Sequence, residues 1–324
     1  MTGIGEIRAA AARARGRIRR TPLLRAEALD RIAGRRVWVK AECLQMTGSF
    51  KARGGWSAIS ALEAAARARG VIAFSSGNHA QGIAWAAAAH GVPAVVLMPS
   101  DAAPVKIGNT KDYGAEVVLY DRATRDREAL GAEIASARGL TLIPPYDHAD
   151  VIAGQGTVGI EIAEQLADSG VERADVLACC GGGGLAAGVA LALEGVAPGL
   201  RARTAEPERF DDMARSLAAG ERLDNPAATG SVCDAILTPR PGAMTFPILR
   251  RLAGPGLVVT DEEALRAVAL AFAHLRIVLE PGGAVSLAAA LFRRDEIEGA
   301  DVAVIGSGGN VAPELFAATI TRLA

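Results

Sequence analysis

Short runs of apolar and β-branched residues alternate with long alanine-rich stretches along this chain, and that alternation restricts it to a sheet covered by helices. The runs are Arg36 to Ala41, Val71 to Phe74, Ala94 to Met98, Glu116 to Tyr120, Val176 to Cys180 and Val302 to Gly306. Several are apolar almost throughout, as strands must be when helices cover both faces of a parallel sheet. An α/β fold is therefore predicted. The chain has 324 residues, half of them hydrophobic, enough to build one large or two moderate domains. Arginine or glutamate breaks each alanine-rich run, so no apolar stretch is long enough for a bilayer span, and no membrane association is expected.

Ligands of such sheets bind at strand-to-helix turns. Three of these turns are polar and glycine-rich: Ser75-Ser76-Gly77-Asn78-His79, Gly181 to Gly184, and Ser307-Gly308-Gly309-Asn310. All three are predicted to face one cleft. The formal net charge of -1 gives no general attraction to nucleic acid or anionic lipid, although only four of the 35 cations are lysines. The segment Ile4 to Arg20 is arginine- and alanine-rich and superficially like a transit peptide. The spacing of Ile4, Ile7, Ala11 and Ile18 instead predicts an amphipathic first helix, ended at Thr21-Pro22. Cys43, Cys179, Cys180 and Cys233 lack zinc-site spacing, and adjacent Cys179-Cys180 would pair only under strain, so a reducing cytoplasm is expected.

Any chemistry that needs a lysine amine has four candidates, Lys40, Lys51, Lys106 and Lys111. Lys51 sits in Thr47-Gly48-Ser49-Phe50-Lys51-Ala52-Arg53-Gly54, where glycines allow a ligand close approach and Ser49 and Arg53 are placed to contact an anion. Gly181 to Gly184 follows an apolar run and opens a helical one, so several backbone N–H groups can converge there on a phosphate. Gly182, Gly184 and Ala187 also match a dinucleotide fingerprint, with Glu206 at the distance of a ribose-binding acid. A nicotinamide-dependent oxidoreductase is thus an open alternative. It leaves the Ser-Phe-Lys segment and the Ser-Gly-Asn-His turn without a purpose, whereas a phosphate-bearing cofactor with a lysine partner uses both.

Taken together these motifs resemble the fold type II pyridoxal-phosphate enzymes, in the branch of threonine and serine dehydratases, including 3-hydroxyaspartate dehydratases, and serine racemase. The resemblance runs from Thr21-Pro22-Leu23 to Ser307-Gly308-Gly309-Asn310-Val311. It implies a tryptophan synthase β-like fold of two open, twisted, mainly parallel sheets with helices on both faces. The cofactor would lie in a cleft between a large domain, residues 1–52 and 148–324, and a small domain, residues 53–147. Lys51 would be the Schiff-base lysine, with Phe50 against the ring, Asn78 on the cofactor hydroxyl and Gly181, Gly182, Gly183 and Gly184 around the phosphate. Ser307 would face the pyridine nitrogen, and Glu280 belongs with the cofactor residues. Ser75, Ser76, Gly77, Asn78 and His79 would clamp the substrate α-carboxylate. Ser76 is also the position of the base on the opposite face in serine racemase. Glu206, the Phe210 carbonyl and Asp212 resemble a divalent-cation loop for Mg²⁺, Ca²⁺ or Mn²⁺. A homodimer is implied.

The chemistry implied is β-elimination from a small β-hydroxy amino acid, threonine, serine or 3-hydroxyaspartate, yielding a keto acid and ammonia. Lys51, as a neutral amine, would take the Cα proton. A serine or aspartate-type racemase on the same scaffold is the alternative. Arg127 aligns with an arginine that meets a second carboxylate in the racemase branch, which keeps 3-hydroxyaspartate beside serine and threonine. Trp56 either narrows the cleft or packs as a core aromatic. Because the chain stops soon after Ser307, a regulatory domain is not expected, and a catabolic role is.

Overall fold

The computed structural model describes residues 2–75, 77–102, 104–121, 124–227 and 229–323. Among the described residues ten strands form two sheets: β1 (Leu23–Leu24), β2 (Arg36–Lys40), β3 (Val71–Phe74), β4 (Ala94–Pro99), β5 (Glu116–Tyr120), β6 (Thr141–Leu142), β7 (Ala174–Cys179), β8 (Leu200–Pro207), β9 (Leu257–Val259) and β10 (Asp301–Ile305). The larger sheet has the order β1-β2-β10-β7-β8-β9, and the smaller β5-β4-β3-β6. All pairings are parallel except β1 with β2. Strands β3, β4 and β10 are buried at every position, which is why their sequences lack the polar alternation of a half-exposed strand. The six expected strands are all present, within one or two residues at each end.

The first helix runs Ile4–Ala14 and buries Ile7 and Ala10. It ends well before Thr21-Pro22, because Gly16 turns at φ +73 and breaks the helical path. No helix among the described residues is long and apolar enough to cross a membrane.

Glycine decides how the helices around the cleft approach one another. The helix Lys51–Ala61 lies against the helix Asn78–His90, and a Cβ on Gly82 would sit 2.9 Å from the Lys51 carbonyl. On its other side, a Cβ on Gly154 of the helix Ala149–Asp168 would come within 2.4 Å of the Arg53 carbonyl. Backbones this close leave no room for side chains, so the start of the Lys51 helix is held from two sides.

Arg53, two residues beyond Lys51, is only 2 % exposed and faces away from the cleft. Its guanidinium bonds both oxygens of Glu42, at 2.7 and 2.8 Å, and both of Glu161, at 2.7 and 2.9 Å. Lys40 completes the cluster on Glu161, the Thr21 carbonyl and Gln165. The expectation that Arg53 contacts an anionic ligand is therefore corrected. Two carboxylates of the protein already satisfy it, and their negative charge holds it protonated. Ser49 is likewise fully buried and does not line the cleft.

Candidate active site

A cavity of about 180 Å³ opens between the C-terminal ends of β3 to β5 and those of β7 and β10. Phe50, Lys51, Ser75, Gly77, Asn78, His79, Arg127, the four glycines 181–184, Glu280 and Ser307 all line it. The residues singled out from three distant stretches of sequence thus meet in one place. A larger groove of about 990 Å³ runs beside the first helix and the helix Ala149–Asp168. It contains neither Lys51 nor any of the three polar turns, so the chemistry belongs to the smaller cavity.

Lys51 is the first residue of its helix. Its Nζ donates to the Pro145 carbonyl at 2.8 Å and lies 5.0 Å from the centre of the Phe50 ring. Burial pushes its amine down to about 8 from 10.5, because the ammonium form loses solvation there. The Lys51 segment is tied to the last turn by the Phe50 N–H donating to the Ser307 carbonyl at 3.0 Å and by a bridge between Ser49 and Gly308. Lysine and serine thereby line the same cavity from segments tied together through the backbone.

A chain of hydrogen bonds joins the other turns. The Asn78 amide donates to Glu280 at 2.6 Å, and the Asn310 amide donates to the Asn78 side-chain oxygen at 2.7 Å and to the Thr47 carbonyl at 2.8 Å. Glu280 is 4 % exposed, and burial pushes its carboxyl up to about 7, against the opposing pull of the Asn78 amide. The His79 ring is committed to the Ile143 carbonyl at 2.9 Å, and burial, with Lys51 nearby, pushes it down to about 3. His79 is therefore neutral and offers the cleft its backbone rather than a charge. The Ser75 hydroxyl accepts from the Gly77 N–H at 3.1 Å, which shapes the turn. Ser76 lies outside the described residues.

The glycine turn suits a phosphate group. Gly183 sits at φ +90 and caps the helix Gly184–Val196, whose first N–H groups have no partner within the helix. The Gly182 carbonyl is turned away, accepting from the Thr245 hydroxyl at 2.6 Å. A Cβ on Gly182 would lie 2.5 Å from the Tyr146 ring. Beside the turn, the Thr238 hydroxyl is buried and has no hydrogen-bond partner among the described residues. A cradle of this size with an unused hydroxyl fits a bound phosphate.

Sequence reasoning leaves Tyr146, Thr238, Lys106 and Asp234 out of the site, though each lines the cavity. The Pro144-Pro145-Tyr146 run is a local signal of a rigid turn; Thr238 and Asp234 have none. Trp56 does not line the cavity. It is 5 % exposed, stacks 4.2 Å from His90, and donates to the Arg13 carbonyl, as a core aromatic.

Glu206 is the next-to-last residue of β8 and lies outside the cavity. Its oxygens accept from the Met213 and Ala214 N–H groups at 2.9 and 2.8 Å. Asp212 accepts from Asn225, and its other oxygen is buried without a partner among the described residues. Burial raises both carboxyls, Asp212 to about 7, with the charge of Asp212 adding to the rise of Glu206 and that of Asp211 to the rise of Asp212. Phe210, between them, is buried. Two buried carboxyls, one with an unused oxygen, are of the donor type that a divalent cation takes. Among the described residues, no group of three or more His, Cys, Asp or Glu side chains gathers as metal ligands.

Comparison with known proteins agrees with this geometry. The chain is 41 % identical over 313 residues to an L-threo-3-hydroxyaspartate ammonia-lyase of a Pseudomonas species, covering 96 % of each. It is 39 % identical over 300 residues to the serine racemase of Schizosaccharomyces pombe, covering 92 % of this chain and 91 % of that one. The crystal structure of a threonine deaminase from T.th. superposes with a TM-score of 0.90 at 43 % identity, over 96 % of this chain and 99 % of that one. This likeness removes the nicotinamide alternative, and residues 14–308 match the model of one family. On the strength of that match and of a cleft built for lysine, ring and phosphate, the chain belongs to the pyridoxal-phosphate dependent enzymes.

Proposed function

We propose that this enzyme eliminates water from L-threo-3-hydroxyaspartate, with serine and threonine as poorer substrates. Arg127 carries the reading. Its guanidinium lines the cavity 5.5 Å from the centre of the Phe74 ring and makes no ion pair among the described residues. A guanidinium left in a catalytic cleft without a carboxylate suits a substrate that brings its own. The ammonia-lyase relatives named for 3-hydroxyaspartate support the same choice.

Pyridoxal phosphate, when bound, supplies an electron sink that acidifies the substrate Cα–H. The protein's own groups do the rest. The glycine-turn N–H groups and the Thr238 hydroxyl would hold the cofactor phosphate, Asn78 its ring hydroxyl and Phe50 its ring, with the uncharged Ser307 as the partner for the ring nitrogen. Glu280 steadies Asn78. Lys51, neutral in a substantial fraction near pH 8, takes the Cα proton. The backbone N–H groups of the described part of the turn, Gly77 to His79, would bind the α-carboxylate. The β-hydroxyl leaves with a proton as water. The released enamine tautomerises to an imine and takes up water again, giving a keto acid and ammonium.

Further parts of this reading are a Mg²⁺, Ca²⁺ or Mn²⁺ ion at Glu206, Phe210 and Asp212, a homodimer, and a cytoplasmic setting in which the four buried cysteines are unpaired. So is a division into residues 1–52 with 148–324 and residues 53–147. The test is a panel of serine, threonine and the 3-hydroxyaspartate diastereomers, scored for ammonia and keto acid. Keto acid from L-threo-3-hydroxyaspartate with the highest kcat/KM is expected; preference for serine would refute the substrate assignment. Serine racemase relatives make chiral analysis of recovered substrate part of the assay, since dominant inversion would favour the racemase. Chelation is expected to lower the thermal midpoint, and an unchanged midpoint would count against the metal.

A further inference from the structure

The geometry points to Lys106 as a second residue that selects a substrate with a distal carboxylate, the place of that carboxylate being held by Asp234 until such a substrate arrives. This inference rests on the reading of the cleft given above and adds a residue that the reading does not use.

Three neighbouring strands of the small sheet, β3, β4 and β5, end at the cavity. The turn after β3 carries Ser75 to Asn78, the helix after β4 is Pro104–Asp112 with Lys106 in its first turn, and the helix after β5 is Arg127–Arg138 with Arg127 as its first residue. A molecule whose α-carboxylate sits at the end of β3 would therefore extend toward β4, with β5 beyond it. Adjacent strands are about 4.8 Å apart, so a four-carbon diacid anchored at the end of β3 reaches about as far as the end of β4, and the long side chain of Arg127 has to span the second gap. Lys106 lies in the middle of that path and Arg127 at its far end.

Both cations stand at helix N-termini, where the peptide dipoles disfavour positive charge. Two such placements lining one cavity make sense if an anion occupies the space between them, since helix N–H groups and side-chain cations then act on it together. Lys106 already holds a carboxylate: its Nζ donates to Asp234 at 2.9 Å, across the cavity from the turn Asp234–Ile236. The Lys106 side chain is 28 % exposed and that of Asp234 61 %. An ion pair with so exposed a partner is weak, so releasing Asp234 to water costs little. A carboxylate within the cleft would meet Lys106 with less competing water and with Arg127 also in reach.

The test uses holoenzyme and two simple acids, succinate and propionate, as inhibitors of whichever β-hydroxy amino acid the wild type turns over. Lys106→Met is expected to weaken succinate inhibition on the order of tenfold, the worth of a charge-assisted hydrogen bond, and to leave propionate unchanged. Lys106→Arg should restore most of the succinate inhibition. Asp234→Asn should strengthen it by removing the competitor. In the same variants the KM for 3-hydroxyaspartate should move with the succinate constant, and that for serine should not. Equal weakening of both acids by Lys106→Met, or unaltered succinate inhibition, overturns the inference. If wild-type enzyme rejects 3-hydroxyaspartate, the substrate assignment fails, and the succinate-to-propionate comparison still tests Lys106.

Discussion

Glu280→Gln should make the stability of the apoprotein less sensitive to pH, by an amount the structure allows to be worked out. Burial is the main cause that moves this carboxyl from its usual 4.5 to about 7, with the Asn78 amide opposing it and Asp234 adding to it. Each pKa unit corresponds to about 1.4 kcal/mol, so the ionised form is disfavoured in the folded state by about 3 kcal/mol. Between those two values the folded protein holds more protons than the unfolded chain. The stabilisation is therefore fully present below about pH 4.5 and is lost as the pH rises through about 7. Glutamine cannot ionise, yet its side-chain oxygen still accepts from Asn78. The variant should thus gain on the wild type by up to about 3 kcal/mol between acid and pH 8, a relative rise in thermal midpoint of about 5 °C for a chain of this size. The assay is thermal unfolding of both apoproteins across that pH range. A midpoint difference that stays constant to within about 1 °C would refute the argument, by showing that water reaches Glu280 and solvates its charge.

Lys51 with an amine at about 8 should be neutral in about a tenth of molecules at pH 7, some 300-fold more than a lysine at 10.5. Capture of pyridoxal by the apoenzyme at Lys51 should accordingly rise with pH through a midpoint near 8 and level off by about pH 9; a rise continuing past pH 9.5 would contradict the burial argument. Arg53→Met leaves Glu42 and Glu161 facing each other with only Lys40 nearby, and should cost about 3 to 5 kcal/mol of stability in thermal or urea unfolding. A loss below about 1 kcal/mol would mean that the cluster relaxes or admits water. Gly183→Ala puts a side chain at φ +90 and a Cβ 2.8 Å from Met213, so cofactor affinity, read by visible absorbance, should fall about tenfold or more.

The strands are legible because burial on both faces leaves a continuous apolar run, as in Val71 to Phe74, and their C-terminal turns are legible because glycine and serine stand out there. Asn78, Ser307 and the four glycines can therefore be assigned to one cavity from those turns, whereas Lys51 and Glu280 join them through the family resemblance. Arg53 misleads because a cation beside a reactive lysine looks the same in sequence whether it faces a ligand or a buried carboxylate 108 residues away. The first helix reads too long because Arg17 and Ile18 continue the amphipathic pattern past the glycine that ends it.

The sequence by itself determined the α/β class, six of the ten strands among the described residues and the phosphate-binding turn, since these depend on local periodicity and on the backbone freedom of glycine. Only the tertiary structure decided which charges are spent inside the protein and which are left for a ligand. Arg53 is consumed by Glu42 and Glu161, Arg127 meets no carboxylate among the described residues, and Lys106 holds Asp234 across the cleft. Pairing of charges depends on distances between segments far apart in the chain, and such distances exist only once the sheets and helices have packed.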